Sequence, residues 1–215
     1  MQIPRDWTFQ TASVAAGFDT HVREQLPWYD LMSGAVAHVA RHYIPHGGVV
    51  YDLGCSTGNI GRLLKEPLAA RQARFLPIDS AESMAKFYDG PGAFTVADIG
   101  AMEFERFDVA IAFLSLMFVP VAQRAGILSK LRASCNTGGA IIVVDKMQFG
   151  GGYLGTVLSR LTLAGKMAVG VPAEQVLAKE LSLFGIQRPL DRAELGKDAV
   201  QIFQFGEFAG WVICS

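Results

Sequence analysis

The sequence predicts an α/β fold, a Rossmann-like three-layer α/β/α sandwich with a mostly parallel sheet and a terminal antiparallel hairpin. Three observations predict it. Short apolar strand patterns alternate with helical ones from Val49 to Asp145, as in a parallel sheet with right-handed crossovers. The first strand runs into a glycine-rich turn, V-V-Y-D-L-G-C-S-T-G-N-I-G, Val49 to Gly61. The chain ends in A-V-Q-I-F-Q-F-G-E-F-A-G-W-V-I-C-S, two strands joined near Gly206-Glu207.

Composition bounds the function. The 215 residues suit one domain with a full core. Residues 1–46 form an expected N-terminal cap and 147–190 an expected helical lid or insertion. Hydrophobic content of 51% excludes a disordered chain. Lys+Arg 19 against Asp+Glu 20 leaves a net charge of −1, so no global field draws the chain to nucleic acid or to a membrane surface. The longest apolar run, Val109–Ala122, is too short to span a bilayer and carries Pro120. Three widely spaced cysteines, Cys55, Cys135 and Cys214, form no C-x-x-C, which points to a reducing compartment. The first residues lack a basic-then-apolar signal pattern. The expected location is the cytoplasm. A small-molecule acceptor is the expected partner; nucleic acid has no support from charge, and a homodimer is left open.

Taken in order, residues 1–28 are an aromatic-rich lead with Trp7, Phe9, Phe18 and Trp28. A helix is expected over Leu31–Tyr43, ended by Pro45 and Gly47-Gly48. Strand one is Val49–Leu53, and a short helix follows to about Lys65, before Pro67. Strand two is Arg74–Ile78, followed by a brief helix, Ala81–Phe87, closed by Gly90-Pro91-Gly92. Strand three is Phe94–Ala97 and strand four Phe107–Leu114. A helix, Val121–Ser134, stops near Gly138-Gly139, and strand five is Ala140–Val144. Two helices, Tyr153–Met167 and Ala173–Phe184, precede the terminal hairpin.

The glycine turn carries the first functional signal. Gly54 and Gly58 let the backbone approach a ligand closely, and free N–H groups at the following helix start favour a polar or anionic group. The spacing D-x-G-x-x-x-G is neither G-x-G-x-x-G nor a phosphate loop, so the ligand need not carry phosphate. Asp52 at the strand end suits a ligand bearing an ammonium or sulfonium. Asp79 and Asp98 follow strands two and three, on the same carboxyl-end rim. Asp79 stands at the interval at which a carboxylate grips ribose hydroxyls. Asp98 with apolar Ile99 suits adenine, and Met84 packs on the other ring face. Singly, each aspartate is more often a helix cap or turn former. Together with the glycine turn they define a nucleoside pocket.

V-Y-D-L-G-C-S-T-G, F-L-P-I-D-S, V-A-D-I and F-D-V-A-I-A-F stand in the order and spacing of the class I S-adenosylmethionine-dependent methyltransferases, which this sequence resembles. Within that group it is most similar to the carboxy-S-adenosylmethionine synthases. That likeness extends to D-W-T-F (Asp6–Phe9), P-W-Y (Pro27–Tyr29), G-G-A-I-I-V-V-D-K (Gly138–Lys146) and the Phe203-Gln204 and Phe208 pattern. The resemblance implies S-adenosylmethionine, or its carboxylated form, as cofactor. It implies contacts from Tyr29, Gly54, Cys55 and Ser56 to the methionine moiety, from Asp79 to the ribose, and from Asp98 and Ile99 to adenine; Ser80 and Phe113 are further expected cofactor-binding residues. Trp7 and Phe9 would shield the sulfonium.

Departures from the synthase pattern bear on the reaction. Where that family places an arginine to hold a small carboxylate, this chain has Glu180 beside Lys179, and a carboxylate there is expected to repel the substrate. Arg160, Arg188 and Arg192 are candidate substitutes. Phe113 stands where the family has asparagine. The primary expectation is therefore methyl transfer to an unidentified acceptor, which needs alignment and water exclusion more than a dedicated base. The alternatives are a carboxy-S-adenosylmethionine synthase-like enzyme using prephenate, and a non-catalytic donor-binding protein. No catalytic residue is assigned. The acceptor has no amino-group nucleic-acid signature, since F-L-S-L stands where D-P-P-Y would, and no Pro-Cys pair is present. His38, His42 and His46 are spaced by four but have no carboxylate at ligand spacing, so no metal is expected. Arg62, Lys65, Arg71 and Arg74 carry no interleaved aromatics and are expected on a solvated face.

Overall fold

The computed structural model describes residues 17–149 and 152–215; Trp7 and Phe9 of the expected cap lie outside them. The described elements begin with two helices, α1 Phe18–Gln25 and α2 Tyr29–Ala40. The alternating core follows as β1 Val49–Leu53, α3 Asn59–Ala70, β2 Arg74–Asp79, β3 Thr95–Val96, β4 Phe107–Phe113, α4 Val121–Ser134 and β5 Cys135–Lys146. Then come α5 Tyr153–Ala168, α6 Ala173–Ser182, β6 Val200–Phe205 and β7 Phe208–Cys214.

The seven strands form one sheet in the order β3-β2-β1-β4-β5-β7-β6. The first five are mutually parallel, and the terminal hairpin adds two antiparallel strands, as expected from its pattern. Alternation along each strand splits the core into two layers. Val50, Val109, Ile111, Ile142 and Val144 pack with α2 and α3 through Met32, Val36, Ile60 and Leu64. Tyr51, Leu53, Ala110, Ile141 and Val143 pack with α4 through Ile127, Leu128 and Leu131. Each fully buried Leu or Ile contributes roughly 1.5–3 kcal/mol relative to exposure, and this two-sided burial is why the strands read as continuous apolar runs.

Several boundaries differ from the sequence expectation. Pro67 sits inside α3 instead of ending it. Its missing N–H frees the Leu63 carbonyl, and Leu63 lies on the outer side at 45% exposure, while Leu64 and Leu68 anchor the inner face. The first long helix starts two residues earlier than expected and ends at Ala40. Residues 82–87 form a 3₁₀ turn and not an α-helix. Gly138-Gly139 does not stop α4, which hands over to β5 directly at Cys135. The pair instead forms an irregularity where β5 shifts register against β4; Gly138 has φ +81°, and a Cβ on Gly139 would lie 2.5 Å from the Asp108 carbonyl oxygen. Among the described residues no helix is long and apolar enough to cross a membrane.

Candidate functional site

The sheet order reverses between β1 and β4, and a crevice opens there beyond the carboxyl ends of the strands. It holds a cavity of about 220 Å³. One wall is the glycine turn. The Gly54 and Cys55 N–H groups donate to the Ile78 carbonyl at 2.8 and 2.9 Å, binding the turn to the end of β2. Gly54 has φ +84°, and a Cβ there would meet the Ser115 Cβ at 2.5 Å. Ser56 adopts a left-handed φ of 49°, and its N–H donates to Asp79 Oδ2 at 2.8 Å. Asp79 Oδ1 accepts from the Ala81 N–H, also at 2.8 Å.

Tyr29, Asp52, Gly54, Cys55, Ser56, Asp79, Ser80, Met84 and Phe113 all line this cavity. The Ser56 hydroxyl points to the Met84 sulfur at 3.7 Å, and the Tyr29 and Phe113 rings meet edge to face at 5.4 Å. Three of the residues singled out in the sequence stand off the lining. Gly58 turns the chain into α3 with φ +94° and faces the Gly90 backbone. Asp98 is exposed and accepts from the Gly100 N–H at 2.8 Å, while Ile99 is buried in the apolar layer of β4 and α4.

Asp52 is 1% exposed. Burial, reinforced by the Asp79 charge, pushes its carboxyl up to about 8. Asp79 is likewise raised by burial, against backbone N–H bonds from Ala81, Ser56 and Ser80 that favour its charged form. Burial also raises the Tyr29 hydroxyl and the Cys55 thiol, so neither is ionised near neutrality. Among the described residues, the lining side chains of Gln25, Asp52, Asn59 and Ser115 carry buried polar atoms, Oε1, Oδ2, Nδ2 and Oγ, without a hydrogen-bond partner. Orphans of this kind are uncommon and call for an occupant.

Helix α1 roofs the cavity with Phe18, His21, Val22 and Gln25. It is fastened to the glycine turn, because Asp19 accepts from the Thr57 hydroxyl and from Arg62 at 2.9 Å. Arg23 reaches Asn59 Oδ1 at 3.3 Å. The far end is built by β5 and by α5 and α6, with Lys146, Thr162, Lys166, Lys179 and Glu180. Glu180 does not stand there as a bare repelling charge. It accepts from Lys166 at 2.7 Å and lies 3.9 Å from Lys146, which is also 3.5 Å from Glu207. Burial alone would raise the Glu180 carboxyl, but the lysines hold it below the usual carboxylate range. None of Arg160, Arg188 and Arg192 lines the cavity; Arg192 stacks over Trp211 at 4.5 Å.

Sequence reasoning missed Gln25, Asn59, Ser115 and Lys166. Asn59 was the most legible of them, as a polar residue directly after the glycine turn. His21 and Gln25 stand one helical turn apart, a buried polar stripe on an otherwise amphipathic helix. Lys166 interrupts the inner face of α5 with no local signal for its partner on α6.

The strand order, the glycine turn at the end of β1 and the crevice define the class I S-adenosylmethionine-dependent methyltransferase fold. Solved structures share it. The plantazolicin methyltransferase BpumL superposes with a TM-score of 0.61 over 94% of this chain and 89% of its own, at 12% identity. A TehB-like methyltransferase from Corynebacterium glutamicum gives 0.55 over 95% and 100%, at 16% identity. The sequence relatives are more particular: this chain is similar to curated carboxy-S-adenosyl-L-methionine synthases. The one from Shewanella amazonensis is 27% identical over 216 residues, covering 96% of this chain and 88% of the relative. That of Shewanella oneidensis is 25% identical with the same coverage. No protein-family model matches the chain.

Proposed function

We propose that this chain binds S-adenosylmethionine in the crevice and transfers a methyl group to an acceptor held beneath α5 and α6. One observation carries the reading: the four unpartnered polar atoms of Gln25, Asp52, Asn59 and Ser115 converge on a cavity whose wall is the glycine turn. An amino-acid tail offers both the donors and the acceptors these atoms lack. Asp52 Oδ2 and Gln25 Oε1 would take its ammonium, and Asn59 Nδ2 its carboxylate. Asp79, fixed by Ser56 and Ala81, keeps lone pairs for ribose hydroxyls. Met84 and Ser80 would flank the base. When bound, the donor supplies a methyl group already activated on sulfur. The residues of the chain then orient it, and Tyr29, Phe113, Leu114 and Met117 exclude water around the reacting end.

The charge at the far end favours methyl transfer. Lys146 and Lys166 are matched by Glu180 and Glu207, and burial pushes the third amine, Lys179, down to about 6. A second reading, carboxylation of the donor, is supported by relatives so named that align over nearly the whole chain. Incubation with labelled S-adenosylmethionine and prephenate, followed by mass spectrometry, separates the two. Methyl transfer predicts unchanged donor under these conditions and S-adenosylhomocysteine only with an acceptor. A carboxylated donor would overturn it.

A further inference from the structure

Helix α1 is held over the cavity differently from every other wall. Its buried residues are the polar His21 and Gln25, whereas its apolar Phe18 and Val22 are only partly covered, the first against Ala81 and Met84 and the second against the layer of α2. A face of that kind gains little by leaving water. Gln25 Oε1 is also buried without a hydrogen-bond partner while the roof is down, a cost that falls on the closed position alone. Charge supplies the attachment. Asp19 accepts from the Thr57 hydroxyl and from Arg62 at 2.9 Å, and Arg23 reaches Asp30 at 2.9 Å and Asn59 Oδ1 at 3.3 Å. The ion-paired side chains are 29–68% exposed, a setting in which such pairs are weak and are screened by salt. On the outer side, Asp19, Thr20, Arg23 and Glu24 face an open groove of about 430 Å³ that reaches Val169 at the end of α5, which leaves room for α1 to move outward.

We propose that α1 is a charge-fastened strap, which lifts when the Asp19 contacts to Thr57 and Arg62 break and is drawn down again by the ligand it covers. Asp52 lies beneath it at 1% exposure, so a polar ligand gains that carboxylate while the strap is raised. An ammonium on the ligand then gives Gln25 Oε1 the partner it lacks, and the closed position loses its cost. Arg23 adds a second link. By taking Asn59 Oδ1 it leaves Asn59 Nδ2 as the free end of the amide, on the wall of the cavity, where a ligand carboxylate would accept from it. Each ligand contact is thus made better with the strap down, and a ligand that prefers the closed state must shift α1 toward it. That the ligand is S-adenosylmethionine rests on the functional reading above; the movement of α1 does not.

Hydrogen exchange of the full chain, read by mass spectrometry, tests the strap without any ligand. The hydrogen-bonded amides of α1 are expected to exchange about tenfold or more faster than those of α4. Asp19→Ala should quicken them by a further threefold or so and leave α4 as it was, and so should raising salt from about 0.05 M to about 0.5 M. Exchange in α1 as slow as in α4, or untouched by both changes, overturns the proposal. Arg62→Met removes the other half of the same contact and decides the matter if Asp19→Ala fails to fold. Stopped-flow binding of S-adenosylhomocysteine then reads the coupling: Asp19→Ala is expected to raise the rate of release about threefold or more, and an unchanged rate contradicts a strap that must lift. Should S-adenosylhomocysteine not bind at all, the functional reading fails, while the exchange of the free protein still decides whether α1 opens.

Discussion

Ser56 donates its backbone N–H to Asp79 Oδ2 at 2.8 Å, so the glycine turn after β1 and the carboxylate after β2 are one rigid unit. The second oxygen of Asp79 holds the Ala81 N–H, which fixes the start of the turn leading to Met84. Asp79→Ala is therefore expected to weaken S-adenosylhomocysteine binding by about 1–3 kcal/mol in calorimetry. Asp79→Asn, which keeps an acceptor, loses less. Equal affinity in wild type and Asp79→Ala would remove Asp79 from the site.

Asp52 makes the apo protein sensitive to pH. Its folded carboxyl, near 8, is raised above the ordinary 3.8, so the folded state binds the extra proton between those values. The stabilisation is fully present below about 4 and is lost as pH rises towards 8, with roughly 6 kcal/mol at stake. Asp52→Asn is expected to flatten thermal stability across this range and to raise the melting temperature at pH 8. A variant with the same slope as wild type contradicts this assignment.

The same residue predicts a linked proton. A ligand ammonium at Asp52 Oδ2 favours the ionised carboxylate, so binding at pH 7 should release a proton. Titrations in two buffers of different ionisation enthalpy should give heats that differ by the released fraction. Identical heats would place the ammonium elsewhere.

These two aspartates show what was legible in the sequence. Gly54, Cys55, Ser56 and Asp79 belong to local patterns, an apolar strand followed by a tight turn, and periodicity alone locates them. Asp98 and Ile99 share that pattern on paper, yet β3 is only two residues long and exposed. The chain leaves it early, the exposed Asp98 accepts from the Gly100 N–H through Oδ1, and Ile99 packs in the core. Gln25, Asn59 and Ser115 come from α1, α3 and the end of β4. Their convergence depends on packing between distant elements, which no local spacing encodes. The pairing of Lys166 with Glu180 is likewise set by how α5 meets α6.

Arg124 anchors the segment that follows α6. Fully buried on α4, it donates to the Val119 carbonyl at 3.0 Å, the Arg188 carbonyl at 2.6 Å and the Pro189 carbonyl at 3.3 Å, and meets Glu194 at 3.4 Å. Arg124→Met leaves those acceptors unpaired and is expected to cost about 3–5 kcal/mol in chemical denaturation. A loss below 1 kcal/mol would show that the 188–195 segment holds its place without it.

Gly54→Ala tests the close approach at the turn. The added Cβ meets Ser115, and φ +84° is strained for any L side chain, so a loss of about 1–3 kcal/mol is expected. Adding Ser115→Gly should recover only part of it, because the steric clash is relieved and the backbone strain stays. Full recovery would assign the whole effect to the clash.

A crystal structure of the chain with S-adenosylhomocysteine tests the central claim most directly. The account predicts the amino-acid tail against Asp52 and the turn from Gly54 to Ser56, the ribose on Asp79, and the sulfur facing the chamber under α5 and α6. A nucleoside bound outside the crevice, or a crevice that stays empty at saturating ligand, would contradict it.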